Sequence, residues 1–325
     1  MHPAISVILL TTLIGVGQGF FLALYTAEVY AAVELLPRQP ALFYVAGSLI
    51  AFAFLVAGLV ASFFHLGHPE RAWRSAARWR TSWLSREVIV LPALMGAVFV
   101  YGLVHYLDWD LGIVGIRTGE PSDLSLVIGA GATGLAFLLF LCTGMIYACI
   151  KFLQEWASWL TVVNYTLFGL ASGFLFATAY AAYTAPSLVA FYGVWTLVIT
   201  FAAMVTRLAS LIRNSRLKRK STLQTAIGVR HRRIEQKSQG FMGGSFNTRE
   251  FFHGARPAVF RSIKWVFLAL VFPVPVVLLY VGMTAGSAGP IVIAFLVQYA
   301  GLLAERWFFF AQANHPQNLY YQVVS

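Results

Sequence analysis

The first residues in this chain whose types and spacing suggest chemistry are His65 and Glu87. An ionisable side chain inside a bilayer costs about 2.5–3.5 kcal/mol on insertion scales, so it needs a partner, a water-filled cavity or a task. His65 closes one long apolar stretch and Glu87 opens the next. Between them runs an Arg-rich loop containing His68-Pro69-Glu70-Arg71-Ala72-Trp73-Arg74. Two consecutive spanning helices joined in this way bring both residues to the same membrane face. A pocket built there suits a quinone ring. The imidazole titrates near neutrality and donates to a carbonyl, and the carboxylate relays protons to water. Phe64, Trp73, Trp79 and Trp83 supply an apolar slot. The competing reading is that His65 and Glu87 are interfacial residues satisfied by the loop arginines, with the tryptophans forming an aromatic belt. On the residues alone both readings stand.

Glu305-Arg306, followed by Trp307-Phe308-Phe309-Phe310, is the second such place. An internal ion pair fixing a helix end is one reading, and a contribution to a cofactor pocket or proton path is the other. Asn314-His315-Pro316-Gln317-Asn318 follows closely. Haem is not expected. His65 and His105 fall at opposite faces, with His2, His68 and His315 in flanks, so no histidine pair lies at one depth in the membrane. Cys142 and Cys149 are too few for an iron–sulfur cluster, and no metal site is expected in this chain. Gly15, Gly17 and Gly19 lack the strand and turn of a nucleotide fingerprint and read as close helix packing.

The elements that must position these residues follow from composition. Of 325 residues, 59% are hydrophobic and 11% charged, too few charges to coat a soluble globule of this size. A hydrocarbon core of roughly 30 Å takes about 20 apolar residues per helix. Long apolar windows place helices at 4–29, 41–64, 86–107, 124–149, 159–183, 188–212, 262–282 and 288–310, with Pro273 and Pro275 breaking the seventh. The fold class expected is an all-α integral membrane bundle of eight helices forming a single domain, with a basic loop at 214–260. The start of the chain lacks a basic region and a cleavage site, so the first segment reads as a retained helix.

The net charge of +11 resides in loops between apolar segments, which argues for membrane orientation and against nucleic acid. Arg71, Arg74, Arg78, Arg80, Arg86, Lys151 and the run from Arg207 to Lys264 fall on one side. Arg38 and Arg117 fall on the other, with Glu28, Glu34, Asp108, Asp110, Glu120 and Asp123. The positive side faces the cytoplasm, so both termini are expected inside. The loop from Asn214 to Pro257 lies on anionic headgroups or docks a partner subunit.

Several separated motifs together resemble one family. They are Phe63-Phe64-His65-Leu66-Gly67 with the His68–Trp73 loop, Ser82-Trp83-Leu84-Ser85-Arg86-Glu87, Glu305-Arg306-Trp307, and His315-Pro316-Gln317-Asn318. They resemble the membrane anchor subunits of dimethyl sulfoxide reductase, a family that includes the anchor of the sulfite dehydrogenase complex. The resemblance covers nearly all eight helices. It implies a three-subunit complex in the bacterial cytoplasmic (inner) membrane. A molybdopterin catalytic subunit and a four-cluster iron–sulfur subunit dock on the cytoplasmic face, and electrons pass to ubiquinone or menaquinone bound in a haem-free anchor. The family's quinol-site histidine maps onto His65 and its acidic residue onto Glu87, with Ser85, Arg86, Trp83, Phe64, Arg71 and Trp73 around them. The cytoplasmic orientation favours sulfite oxidation coupled to quinone reduction over the alternative of a reductase anchor that oxidises quinol. A secondary transporter is the alternative of another class, although no internal repeat or paired interrupted helices support it. A passive scaffold is a third.

Overall fold

The computed structural model describes residues 4–109, 123–218, 220–235, 257–314 and 316. Among the described residues the regular structure is all helical, with no strand, and eight spans are long and apolar enough to cross a membrane. Helices α1 (Ile5–Ala32), α2 (Ala41–Phe63), α3 (Trp83–Leu107), α4 (Asp123–Ala148), α5 (Trp159–Thr184) and α6 (Val189–Ser215) supply six of them. A short surface helix α7 (Leu223–Ile227) follows, then the broken span α8 (Pro257–Val271) and α9 (Pro273–Ala285), and last α10 (Ala288–Ala311).

The boundaries follow local chemistry. Ser82 caps α3 by accepting from the Ser85 amide, and Ser158 caps α5 through the Leu160 amide. The break at Phe272 follows from Pro273 and Pro275, which lack amide protons for the preceding turn. The Val271 carbonyl accepts instead from the Gln298 amide side chain at 3.4 Å. The loop after α2 is a 3₁₀ segment, Pro69–Arg78, with no buried residue.

The packing groups the spans into two bundles. α1 packs on α2, α2 on α3, α3 on α4, and α4 returns to α1. In the second group α5 packs on α6, α6 touches α9, and α8, α9 and α5 all pack on α10. The bundles meet along α1 and α5, the two most deeply buried spans. Small residues permit this approach, since Gly15 and Gly19 on α1 face Gly169 and Gly173 on α5. A Cβ at Gly173 would collide with the Gly19 carbonyl carbon, where backbone has no room to yield. Without a hydrophobic force between helices in lipid, such close van der Waals contact is what holds spans together.

Eight alternating spans return the chain to the end where it began. Ile8 of α1 and Phe309 and Phe310 of α10 accordingly share one apolar cluster with Trp156. The His65 loop lies at this same end, the near end of the bundle.

Candidate functional site at the near end

Glu87 sits one turn into α3 and is buried, with its Oε1 accepting from the Thr143 hydroxyl of α4 at 2.5 Å. Its neighbour Arg86 turns the other way. It donates to the Trp79 and Arg80 carbonyls at 2.9 and 2.8 Å and lies over the Trp83 ring at 4.2 Å. Arg86 therefore pins the 3₁₀ loop to the start of α3. The idea that loop arginines satisfy Glu87 is not what the structure shows. Ser85 is buried beside Glu87, while Trp83 packs half-buried against the core.

His65 lies in the turn after α2, is exposed, and makes no side-chain hydrogen bond or ion pair among the described residues. Partial burial against its surroundings holds its pKa below the ordinary imidazole value. The aromatic side chains of its turn and of the loop that follows are bare. Phe64 is 81% exposed, Trp73 71% and Trp79 53%, with Arg74 and Arg80 over the two tryptophan rings. Arg71 reaches Glu70, at 3.7 Å. Exposed apolar side chains contiguous with cations mark a surface that meets a partner, a ligand or lipid.

The structure thus divides the residues picked out in the sequence into two tiers at one membrane end. Phe64, His65, Arg71 and Trp73 make an outer tier of exposed side chains, and Ser85 and Glu87 make an inner, buried one. Arg86 and Trp83 form the seam between the tiers.

Glu305 and Arg306 belong to the inner tier and are both buried. Arg306 Nε meets Glu305 Oε2 at 3.2 Å, so the internal ion pair expected from the sequence is present. A third member was not expected there. Arg207 of α6, counted in the sequence among the loop cations, is 2% exposed and contacts Glu305 Oε1 at 2.7 Å. Aromatic faces clad both cations: Arg306 lies 3.7 Å over Tyr165, and Arg207 lies over Phe267 and Phe308. The Asn314 amide lies beside this region against Glu155, whereas His315, Gln317 and Asn318 fall outside the described residues.

Glu87 and Arg306 line one cavity of about 20 Å³ at the junction of the two bundles. Thr11, Thr12, Gln18, Thr143, Tyr165 and Ser172 give it polar walls. Ligand pockets run to about 300–1,000 Å³, whereas a water needs roughly 10–15 Å³ of such space. The cavity is therefore sized for water and leaves no room for a quinone ring.

At the far end the structure reveals a cluster the sequence did not show. Glu28, counted there with the outward loop charges, is wholly buried. It accepts from the Tyr101 and Ser125 hydroxyls at 2.5 Å each and meets His105 Nε2 at 3.1 Å. Tyr44 stacks on His105 at 4.6 Å. The signal available was the apolar sequence on both sides of Glu28, which continues α1 to Ala32. Among the described residues no group of three or more His, Cys, Asp or Glu is placed to hold a metal ion.

Comparison with known proteins agrees with this architecture. The family model described as DMSO reductase anchor subunit (DmsC) matches residues 1–321. The chain is 55% identical over 325 residues, the whole of both chains, to a protein of Allochromatium vinosum named as a subunit of sulfite dehydrogenase. With eight apolar spans and a family match over nearly its full length, the chain belongs to the family of membrane anchor subunits of dimethyl sulfoxide reductase.

Proposed function

We propose that this chain is the quinone-interacting anchor of a sulfite-oxidising complex in the bacterial cytoplasmic membrane, with its near end facing the cytoplasm. Sulfite and water give sulfate, two electrons and two protons in a molybdopterin catalytic subunit. The electrons pass through a four-cluster iron–sulfur subunit docked on the near end, and one quinone takes up two electrons and two protons to become quinol. One juxtaposition carries the reading. An exposed His65, with bare aromatics in its turn and in the loop that follows, stands at the same membrane end as a buried carboxylate, Glu87. The donor rests on likeness to the Allochromatium vinosum protein.

In this reading Phe64, Trp73 and Trp83 border the quinone ring at the outer tier, closed over by the partner subunit. His65 donates a hydrogen bond to a ring carbonyl, and Glu87 passes protons from below. Arg71 lies at the rim. The same site run backwards would oxidise quinol for a reductase, and the substrate accepted by the purified complex decides between them.

The test is sulfite-to-quinone turnover of the purified complex carrying His65→Ala or Glu87→Gln. Each should lose at least about 100-fold, the scale of a lost acid–base group, while sulfite oxidation with a soluble dye and co-purification of all subunits persist. Normal quinone turnover in both variants would reduce the chain to a passive tether.

A further inference from the structure

Among the described residues, buried charged side chains at the near end are Glu87, Glu305, Arg207 and Arg306. They are divided unequally between the bundles. The first bundle contributes one carboxylate, Glu87. The second contributes two guanidiniums and one carboxylate, leaving one positive charge in excess if all are ionised. Either half alone would hold an uncompensated charge in low dielectric, a state costing several kcal/mol. Across the junction the two halves sum to zero, and the water-sized polar cavity between them is lined by one member of each, Glu87 and Arg306.

We propose that Arg306, held by Glu305 and backed by Arg207, is the counter-charge that sets the ionisation of Glu87 across this cavity, which holds the water between them. Arg306 is a positioning residue. It cannot itself carry a proton at physiological pH, because a guanidinium stays charged. Its Nε is tied to Glu305 and its plane to the Tyr165 face, so its charge is fixed in place. The Thr11, Thr12 and Ser172 hydroxyls donate to helix carbonyls and the Thr143 hydroxyl to Glu87, so what they offer a water in the cavity is acceptor lone pairs, with the second proton of the Gln18 amide as a donor. This deepens the reading of Glu87 as proton carrier and rests on it for its role in turnover.

The other groups facing Glu87 do not supply that charge. Thr143, Cys142 and Tyr147 come from α4 and Tyr165 from α5, all neutral. Thr11, Thr12 and Gln18 of α1 are neutral too. Arg86, its neighbour on α3, keeps its charge but holds it toward the carbonyls of Trp79 and Arg80 and the Trp83 ring at the surface, where solvent screens it. His65, Glu70 and the remaining arginines of the loop are exposed to solvent, where their fields are screened.

The experiment is an infrared pH titration of the Glu87 carboxyl in the intact complex, its band assigned by subtracting the Glu87→Gln spectrum. Arg306→Gln should raise the titration midpoint by about one to three pH units, the range for loss of a nearby opposite charge, and Arg306→Lys should largely restore it. Glu305→Gln leaves both cations and removes an anion, so it should lower the midpoint. This opposite sign is one that general loosening of the bundle would not give. An unchanged midpoint in the two Gln variants, or a shift of the same sign in both, overturns the proposal. The band reports ionisation directly, so a failure here is distinct from a failure of Glu87 in turnover, which the activity of Glu87→Gln decides separately.

Discussion

The Thr143 hydroxyl is the hydrogen-bond donor that meets the buried Glu87 carboxyl, and its loss isolates one variable. Thr143→Val keeps the shape and removes the bond, leaving a buried acceptor short of a partner at a cost of about 1–3 kcal/mol. The expected result is a lower melting temperature for the anchor and a several-fold loss of quinone turnover, with sulfite oxidation by dye unchanged. A variant matching the parent on both counts would mean that a water substitutes fully for the hydroxyl. His65 gives a separate prediction in pH. Partial burial lowers its pKa, so the neutral ring, with one donor and one acceptor, predominates at pH 7. Binding of a quinone-site inhibitor that depends on this neutral ring should hold at pH 7 and weaken as pH falls through a midpoint below the ordinary value of about 6.5. Equilibrium titration of the inhibitor across pH 5 to 8 reads this midpoint, and a transition above 6.5 would contradict it. His65 and Glu87 were visible as candidates in the sequence because a titratable residue at the end of an apolar stretch stands out at once. Thr143 and Tyr165 were not, since hydroxyls occur on every helix and a linear sequence does not say which helices meet. Arg207 was misread for a related reason. It lies about two turns from the Arg213–Lys220 run, and its burial depends on Glu305, almost a hundred residues away.

Helices α1 and α5 show where element-level reading succeeds and stops. That the chain makes eight apolar spans followed from apolar length, and the break before Pro273 followed from the missing amide protons. Which spans pair did not follow, because apolar periodicity in lipid is nearly uniform around each helix. Gly15, Gly17 and Gly19 announced a close contact without naming its partner, and only the structure puts Gly169 and Gly173 opposite. The tie between the His65 loop and α3 was equally hidden, because Arg86 makes it through the Trp79 and Arg80 carbonyls, just after the 3₁₀ segment, and backbone acceptors carry no sequence signal. Gly173→Ala should therefore be costly. The added Cβ meets the backbone of Gly19 and Phe20, and overpacking of this kind costs about 1–3 kcal/mol. Gly96→Ala is the control, since nothing lies within 4 Å of its Cβ. It should change stability by no more than about 1 kcal/mol, and in the favourable direction, because alanine is the better helix former. Thermal unfolding followed by size-exclusion in detergent separates the two, and equal melting temperatures would argue that the α1–α5 contact is looser than the facing glycines imply. The Glu28 cluster predicts a second stability effect at the opposite end. Glu28→Ala removes the acceptor of Tyr101 and Ser125 and the partner of His105, so it should lower the melting temperature while leaving quinone turnover of the surviving complex near normal.

At the scale of the whole molecule, charge asymmetry and site location bear on the same question. Among the described residues, every Lys and Arg except Arg38 belongs to the near end or its connections. Basic residues are retained on the cytoplasmic side during insertion, so the near end, with His65 and its aromatic facet, should face the cytoplasm. Under the proposed function, that placement would decide which compartment supplies sulfite and protons to the complex, because an electron-donating partner would have to dock where a quinone site opens. Two thiol reporters test it in cells making the full complex. Cys149 is exposed at the near-end terminus of α4, and Cys142 is buried in the same helix. Ser187, exposed in the turn before α6, marks the far end, and Ser187→Cys in a Cys149→Ser background reports there. A membrane-impermeant maleimide should label the Ser187→Cys variant in right-side-out spheroplasts and leave the parent unlabelled. In inverted vesicles stripped of peripheral subunits the pattern should reverse, with Cys149 reactive and the Ser187→Cys variant protected. The opposite pattern would place His65 outside the cytoplasm. The soluble subunits would then have to be exported, and the sulfite-oxidising, cytoplasm-facing reading would give way to the exported reductase arrangement on the same anchor.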